Sequence, residues 1–457
     1  MLAHSLIERG YQLIASDGSA AYLTERGISV KRIEEITGAP ELFDGRVKSL
    51  HPLIHGAILF NRKDDSQLQA AAQSNIDPID IVIVNLYPSD KFDIGGPALI
   101  RAAAKNWESV SVITNSAQYP ALLEAIDAGS DSEVARELRR DWAMTAIELT
   151  ANYDLEILTK LGSPLRYGEN PHQGAIKVGN SGLAGAKIHQ GELSFNNYRD
   201  IDLAQQCATD NSEPTVVIVK HGIPTGIASD ASSNIAFAAA LAADPVSAFG
   251  GVIATNCEID EPLANSISKT FFEVLAAPSF TANALAILAQ RPRLRLVEIA
   301  SRMKRDRQLY QIDGGFLIQD LDLISDDASS WRLVSGAPAN NATLDDLLFA
   351  WRAVARTRSN AIVVAAAKKA LGIGAGCVNR LDAARLACAR AGARADGAVA
   401  ASDGFFPFPD GLQILIDAGV SAVVAPGGSI RDEAVIAAAR AGDLTLYLSD
   451  FRHFSHN

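Results

Sequence analysis

The sequence is poor in cysteine, with four in 457 residues and no Cys-x-x-Cys pair. Cys207, Cys257, Cys377 and Cys388 have no histidines beside them at zinc-ligand spacing. That argues against a zinc ribbon or finger and against a disulfide-dense scaffold. Scattered cysteines fit a reducing compartment, and a cytoplasmic location is expected. No apolar run reaches the roughly 18 residues of a membrane span. The opening MLAHSLIERG has no basic stretch leading into an apolar core, so it does not read as a signal peptide. It reads instead as the middle of an amphipathic helix. Positive charge is also scarce: 53 acidic against 41 basic side chains leave a net charge of −12. Such a chain gains nothing from the phosphate neutralisation that drives nucleic-acid binding, so neither DNA nor RNA is an expected partner. Small phosphorylated substrates remain open, because they need only a local cluster of donors. Heptads, short repeats and low-complexity tails are missing.

What is present is an ordinary globular balance, 48% hydrophobic and 21% charged. The length suggests about two to four domains. Helix and strand patterns alternate over the first 110 residues. LAHSLIERG and AAYLTERG read as helices, and YQLIAS, IDIVIVNLYP and SVSVIT as strands. The β-branched density of IDIVIVNLYP suits a parallel strand buried on both faces. Residues 115–160 read as helical. This is a doubly wound α/β layout, in which ligands sit beyond the carboxyl ends of the strands. The pattern breaks at Gly162-Ser163-Pro164, so domains are expected over 1–160 and 161–457. Beyond the break, TVVIVK, GGVIAT, NAIVVAAA and AVVAPGG read as strands. NIAFAAALAA, DAARLACARAGARADGAVAAS and DEAVIAAARAG read as mostly helical. Residues 284–350 are more polar and less periodic, as in a linker or an excursion between two lobes.

Several stretches carry chemistry. LRYGENPHQ (165–173) packs Arg166, Tyr167, Glu169, Asn170, His172 and Gln173 around a Gly and a Pro. It is either a polar surface loop or the lining of a site. TVVIVKHGIPTGIAS (215–229) delivers Lys220 and His221 at the carboxyl end of a buried strand. A strand-end histidine is either structural or a base, and an adjacent cation favours its neutral, proton-accepting form. DPVSAFGGV (244–252) is a tight turn carrying Phe249, with paired glycines that permit close backbone approach. GIGAGCVNRLDAARLA (372–387) is a weak match to a glycine-rich phosphate loop before a helix. ASDGFFPFPD (401–410) and APGGSIRD (425–432) are Gly/Pro loops bearing carboxylates. In the first domain, DGRVKSLHP (44–52) groups Arg46, Lys48, Ser49 and His51, two cations and a hydroxyl suited to a phosphate. NLYPSDKFDIGGPALIRAAAKNW (85–107) holds Tyr87, Asp93, Arg101 and Lys105.

In this order the motifs resemble, over essentially the whole chain, the bifunctional purine-biosynthesis family that joins aminoimidazole carboxamide ribonucleotide (AICAR) transformylase to inosine monophosphate (IMP) cyclohydrolase. LRYGENPHQ, VKHGIPTGIA, DPVSAFGG, SNAIVV, GIGAG-NR, ASDGFFPFPD and PGGSIRD resemble the transformylase half; DGRVKSLHP, NLYP and DIGGPALIRAAAKN resemble the cyclohydrolase half. The resemblance implies an N-terminal methylglyoxal-synthase-like doubly wound α/β domain, then two cytidine-deaminase-like α/β lobes, in a homodimer. It implies formyl transfer from 10-formyltetrahydrofolate to AICAR, giving FAICAR, and closure of FAICAR to IMP with loss of water. No metal is implied. His221 corresponds to the base and Lys220 to the group that steadies charge on the formyl oxygen. Asn360 matches a further catalytic position. Arg166, Tyr167, Asn197, Phe249, Arg380 and His456 match substrate and folate positions. Lys48, Tyr87, Asp93 and Lys105 match the ring-closing site, with Arg46 and Ser49 as substrate ligands.

The sequence departs from the family mainly in the first domain. The family's opening strand and its Ser/Lys loop have no counterpart here. Where the family has a phosphate loop reading STGGT, this chain has Ala15-Ser16-Asp17-Gly18-Ser19, placing a carboxylate where backbone amides meet a phosphate. Only Ser89 to Phe92 separate Pro88 from Asp93, where the family is longer. In the second domain KHxNPCG becomes KHGIPTG, and Cys377 stands at a usual glutamine. The alternatives are therefore a transformylase with a dead cyclohydrolase domain and a non-catalytic nucleotide-binding paralogue.

Overall fold

The computed structural model describes residues 2–40, 43, 47–179, 183, 185–300, 306–313, 315–324 and 327–456. Two compact units follow one another, Met1–Gly162 and Ser163–Asn457.

The first unit wraps helices around two short parallel strand pairs, Ile14–Ala15 with Lys31–Arg32 and Ile81–Ile83 with Ser111–Ile113. Val110, Val112 and Ile113 are fully buried, as a strand covered on both faces requires. Helix Gly95–Lys105 puts Ile100, Ala102, Ala103 and Ala104 into the same core, their small side chains allowing close approach. Helix Glu133–Leu161 starts where the Ser132 hydroxyl accepts the Ala135 N–H at 3.2 Å. It buries Trp142, Ala143, Ala146 and Tyr153.

The second unit is built twice over. Its first half runs strand Lys187–Gln190, helix Phe195–Thr209, hairpin Thr215–Lys220 with Ile223–Ser229, helix Ser233–Ala243, strand Val252–Thr255, helix Glu261–Ile267, strand Val274–Ala277, helix Ala282–Leu288 and strand Arg295–Glu298. Its second half repeats that order: Arg332–Ser335, Asn341–Ala355, Ile362–Ala366 with Lys369–Gly374, Arg380–Ala391, Val399–Ser402, Pro409–Asp417, Ala422–Pro426, Asp432–Ala441 and Thr445–Ser449. In both halves an antiparallel hairpin is followed by a third antiparallel strand, two parallel strands and an antiparallel edge strand. The halves join into one 12-stranded sheet through their second hairpin strands. Only one residue pair registers across that seam, Lys369 with Ala228. The alternating directions carry the carboxyl end of 215–220 and the amino end of 362–366 to the same edge of the sheet, away from that single pairing.

Three sequence expectations need correction. Residues 284–350 are not a linker: they hold the last strand of the first half, the hairpin Arg307–Ile312 with Gly315–Asp320, and the edge strand and first helix of the second half. Short half-exposed strands among arginines carry little periodicity to read. Residues 399–402 (Val-Ala-Ala-Ser) form a strand rather than helix, all four buried between sheet neighbours that override the propensity of alanine. Gly372 and Gly374 do not form a phosphate loop; they lie within strand Lys369–Gly374 under helix Arg380–Ala391. A Cβ on Gly374 would sit 2.8 Å from the Ala383 carbonyl carbon, and one on Gly226 equally close to that of Ala240 at 2.7 Å. Gly374→Ala is therefore expected to destabilise the unit by about 1–3 kcal/mol through overpacking. A thermal melt of the purified variant measures it.

Candidate functional site

Strand Thr215–Lys220 is buried through Val219, and Lys220 is the first residue to emerge at its end. Its Nζ donates to the Phe249 carbonyl at 2.6 Å, which aims the ammonium along the sheet edge. His221 follows in the left-handed region at φ +54°, with its imidazole exposed. The Phe249 ring is also exposed and rests against Phe271, centroids 5.4 Å apart. From helix Phe195–Thr209, buried Asp200 accepts the Gly222 N–H at 2.7 Å. Burial pushes the Asp200 carboxyl up, while hydrogen bonds from the Gly222 and His221 amides pull it back.

The second half places Asn360 ahead of strand Ile362–Ala366, at the same sheet edge. Both ends of its carboxamide are fixed: Nδ2 donates to the Cys377 carbonyl at 2.9 Å, and Oδ1 accepts from Arg380 Nη2 at 2.8 Å. The Arg380 side chain is 5% exposed and pairs with the Asp403 carboxylate, which is completely buried. Asp403 also accepts the Ala361 N–H at 3.0 Å and the Ser359 hydroxyl. The tail docks here as well. Ser359 N donates to the Ser455 carbonyl at 2.8 Å and Ser455 N donates to the Ser359 hydroxyl at 3.0 Å, leaving His456 exposed one residue on, edge-on to Phe454.

Of the 165–173 loop, Arg166 lies over the Tyr167 ring at 5.4 Å. Glu169 ties the loop to helix Phe195–Thr209 through its ion pair with Arg199, and the Asn196 amide donates to the Glu169 carbonyl at 3.2 Å. Asn197 is buried in the capping of that helix: Oδ1 accepts the Ser194 N–H at 3.1 Å and Nδ2 donates to Glu273 at 3.1 Å.

In the first unit Lys48 and Arg32 face a carboxylate of the chain itself, at the strand–helix turn after Ser16. Lys48 Nζ lies 3.9 Å and Arg32 Nη1 3.4 Å from Asp17. Ser49 is buried, and a Cβ on Gly95 would meet its hydroxyl at 3.2 Å, so it sits at the start of helix Gly95–Lys105. Asp93 caps that start: it accepts Gly96 N at 2.9 Å and Tyr87 N at 3.3 Å, and its own N–H donates to Tyr153 Oη at 2.8 Å. Tyr87 and Lys105 are exposed. Arg46 lies outside the described residues.

Residues 103–390 match the AICARFT/IMPCHase bienzyme family, and residues 1–113 match the MGS-like domain. The chain belongs to the AICARFT/IMPCHase bienzyme family. Curated relatives agree from end to end. The bifunctional purine biosynthesis protein PurH of Corynebacterium glutamicum is 42% identical, across all of this chain and 96% of its own length. The proteins of the same name from Cutibacterium acnes and Mycobacterium marinum are 41% and 40% identical, across all of this chain and 96% and 95% of theirs. The first alignment runs over 500 positions against 457 residues here, so this bienzyme chain is the shorter within the aligned span.

Within the bienzyme framework the fold gathers Lys220, His221 and Phe249 in one half of the sheet, and Asn360, Arg380 and His456 in the other, along one edge. The chemistry of Asp200, Asp403 and Arg32 was not singled out from sequence. Asp403 stands in ASDGFFPFPD, noted only as a loop with carboxylates, and its partners are 23 and 44 residues away. Arg380 reads as a ligand-facing cation, yet its charge is met inside the protein. Among the described residues no group of three or more His, Cys, Asp or Glu is arranged to hold a metal ion. Among the described residues no helix is long and apolar enough to cross a membrane.

Proposed function

We propose that this chain makes IMP in de novo purine biosynthesis, as an AICAR formyltransferase and IMP cyclohydrolase using 10-formyltetrahydrofolate as cosubstrate. The observation that carries the reading is the Lys220-His221 pair. It is delivered by a buried strand to the sheet edge, with Nζ anchored and the imidazole exposed, in a chain of the bienzyme family. The AICAR amine is a poor nucleophile because it is conjugated to the carboxamide. His221 takes its proton as it attacks the formyl carbon. Lys220 faces the charge that develops on the formyl oxygen. Collapse of the tetrahedral intermediate breaks the bond to the folate nitrogen, which leaves with a proton. Asn360, fixed at both ends of its carboxamide, holds the reactants in register. Arg380 orients Asn360. Arg166, Tyr167, Phe249 and His456 line the nucleotide and folate positions. A homodimer in the cytoplasm completes the reading: Phe249, Val378 and Ile430 are exposed apolar side chains beside this machinery, as an interface would use.

FAICAR then closes when its carboxamide nitrogen attacks the new formyl carbon and water leaves. Holding both groups of one molecule in attacking geometry accounts for most of the acceleration. Lys48, Tyr87, Asp93 and Lys105 shape that site, with Arg46 and Ser49 as substrate ligands. Asp17 competes with the substrate phosphate for Lys48 and Arg32. Asp17→Ser is therefore expected to lower KM for FAICAR by roughly two- to fivefold, the value of one partly exposed charge contact. Initial rates of cyclisation across FAICAR concentrations check it.

Purified protein given AICAR and 10-formyltetrahydrofolate, with products separated by chromatography, tests the whole reading. IMP is expected. FAICAR alone would leave a transformylase with an idle first unit. No product from a folded protein would refute the function and favour a nucleotide-binding paralogue.

A further inference from the structure

The hairpin turns of the two halves are made the same way. His221 and Gly222 have φ of +54° and +74°, and their counterparts Ala367 and Lys368 have +50° and +54°. Three of these four are not glycine, and L residues persist in the left-handed region only where their surroundings over-determine it. In each half one carboxylate does so. Asp346 accepts the Ala367 N–H at 2.8 Å and the Lys368 N–H at 2.7 Å. Asp200 accepts the Gly222 N–H at 2.7 Å, and the His221 amide faces the same carboxylate and helps to hold its pKa down. The two acids are equivalent in the fold, each six residues beyond the N-cap of the preceding helix, Ser194 and Asn340.

The halves differ in what the clamp holds. In the second half the turn carries Ala367 and Lys368, and Lys368 is spent on an ion pair with Glu213. There the carboxylate only closes a hairpin. In the first half the Asp200–Gly222 bond fixes the turn that carries the one imidazole at the strand end, while Lys220 beside it is tethered to the Phe249 carbonyl. We propose that Asp200 is the positioning residue for His221: its buried carboxylate, through the turn amides, sets the direction in which the imidazole leaves the sheet edge. It touches no reacting atom. The inference rests on the reading of His221 as the base of formyl transfer.

The test is steady-state formyl transfer, with thermal melts, for Asp200→Ala, Asp200→Asn, Asp346→Ala and His221→Ala beside the parent chain. Misplacing a catalytic group by about 1 Å can cost roughly 100-fold. Asp200→Ala is expected to lower kcat by roughly 30- to 100-fold, with KM for AICAR and folate within about threefold, the signature of an interaction felt only in the transition state. Asp200→Asn keeps one acceptor for Gly222 and is expected to recover only in part, to a kcat about three- to tenfold below the parent. Asp346→Ala is expected to lose similar thermal stability yet hold kcat within about twofold, since its turn carries no reacting group. Equal kcat in Asp200→Ala and Asp346→Ala would overturn the proposal. If Asp200→Ala does not fold, Asp200→Asn decides: a lowered kcat at unchanged KM supports the clamp, and an unchanged kcat overturns it. An inactive His221→Ala with a fully active Asp200→Ala would remove the clamp and leave the function standing. A fully active His221→Ala would remove both.

Discussion

His221→Ala is expected to lower kcat for formyl transfer by about 10²- to 10⁴-fold, the usual contribution of a positioned general base. KM for AICAR and for folate should change little, because the imidazole acts on a proton in flight rather than on bound substrate. The loss should not come from unfolding. Alanine already occupies the equivalent position of the second hairpin, where Ala367 sits at φ +50°. Its turn is closed by the same kind of carboxylate, so the melting temperature of the variant should match the parent. Cyclisation of supplied FAICAR should be unaffected, since Lys48, Tyr87, Asp93 and Lys105 belong to the first unit. A kcat within tenfold of the parent would show that another group takes the proton.

Asp403→Ala is expected to be the most destabilising single change at the site, by about 3–5 kcal/mol, as when a buried ion pair loses one partner. Asp403 is completely buried and meets Arg380, the Ser359 hydroxyl and the Ala361 amide. Without it the Arg380 guanidinium keeps only the Asn360 and Ala361 oxygens, and its Nε already has no hydrogen-bond partner. Urea denaturation of the variant gives the number. Replacing both members, Asp403→Ala with Arg380→Met, should recover much of the stability, because no uncompensated charge remains buried. It should not recover formyl transfer, because Asn360 then loses the bond that orients its carboxamide. Stability and activity returning together would show that Arg380 serves packing alone.

Much of this was legible in the residues because burial is written in composition. TVVIVK and NAIVVAAA have to be interior strands, and whatever follows them has to stand at a sheet edge; that places Lys220 and His221 without coordinates. The family's motifs add roles to those positions. Pairing across distance was not legible. Nothing local to Arg380 says that its charge is cancelled by a carboxylate 23 residues on, and nothing in HG and AK suggests that they are the same turn. The duplication hides for the same reason. Equivalent strands such as Val274–Ala277 and Ala422–Pro426 share burial but not residues, and short strands like Thr445–Ser449 are too brief for a periodicity to show. Alanine misleads most. In 398–402 it reads as helix, and only sheet neighbours on both sides make it strand. In the first unit, Asp17 was legible as a misplaced carboxylate, but not that Lys48 and Arg32 turn toward it.

The most direct measurement is the ratio of tetrahydrofolate released to IMP formed when the purified chain alone is given AICAR and 10-formyltetrahydrofolate. One molecule of each per turnover is expected, with FAICAR appearing only transiently. Tetrahydrofolate without IMP would contradict the ring-closing half of the account, and the absence of both would contradict the whole of it.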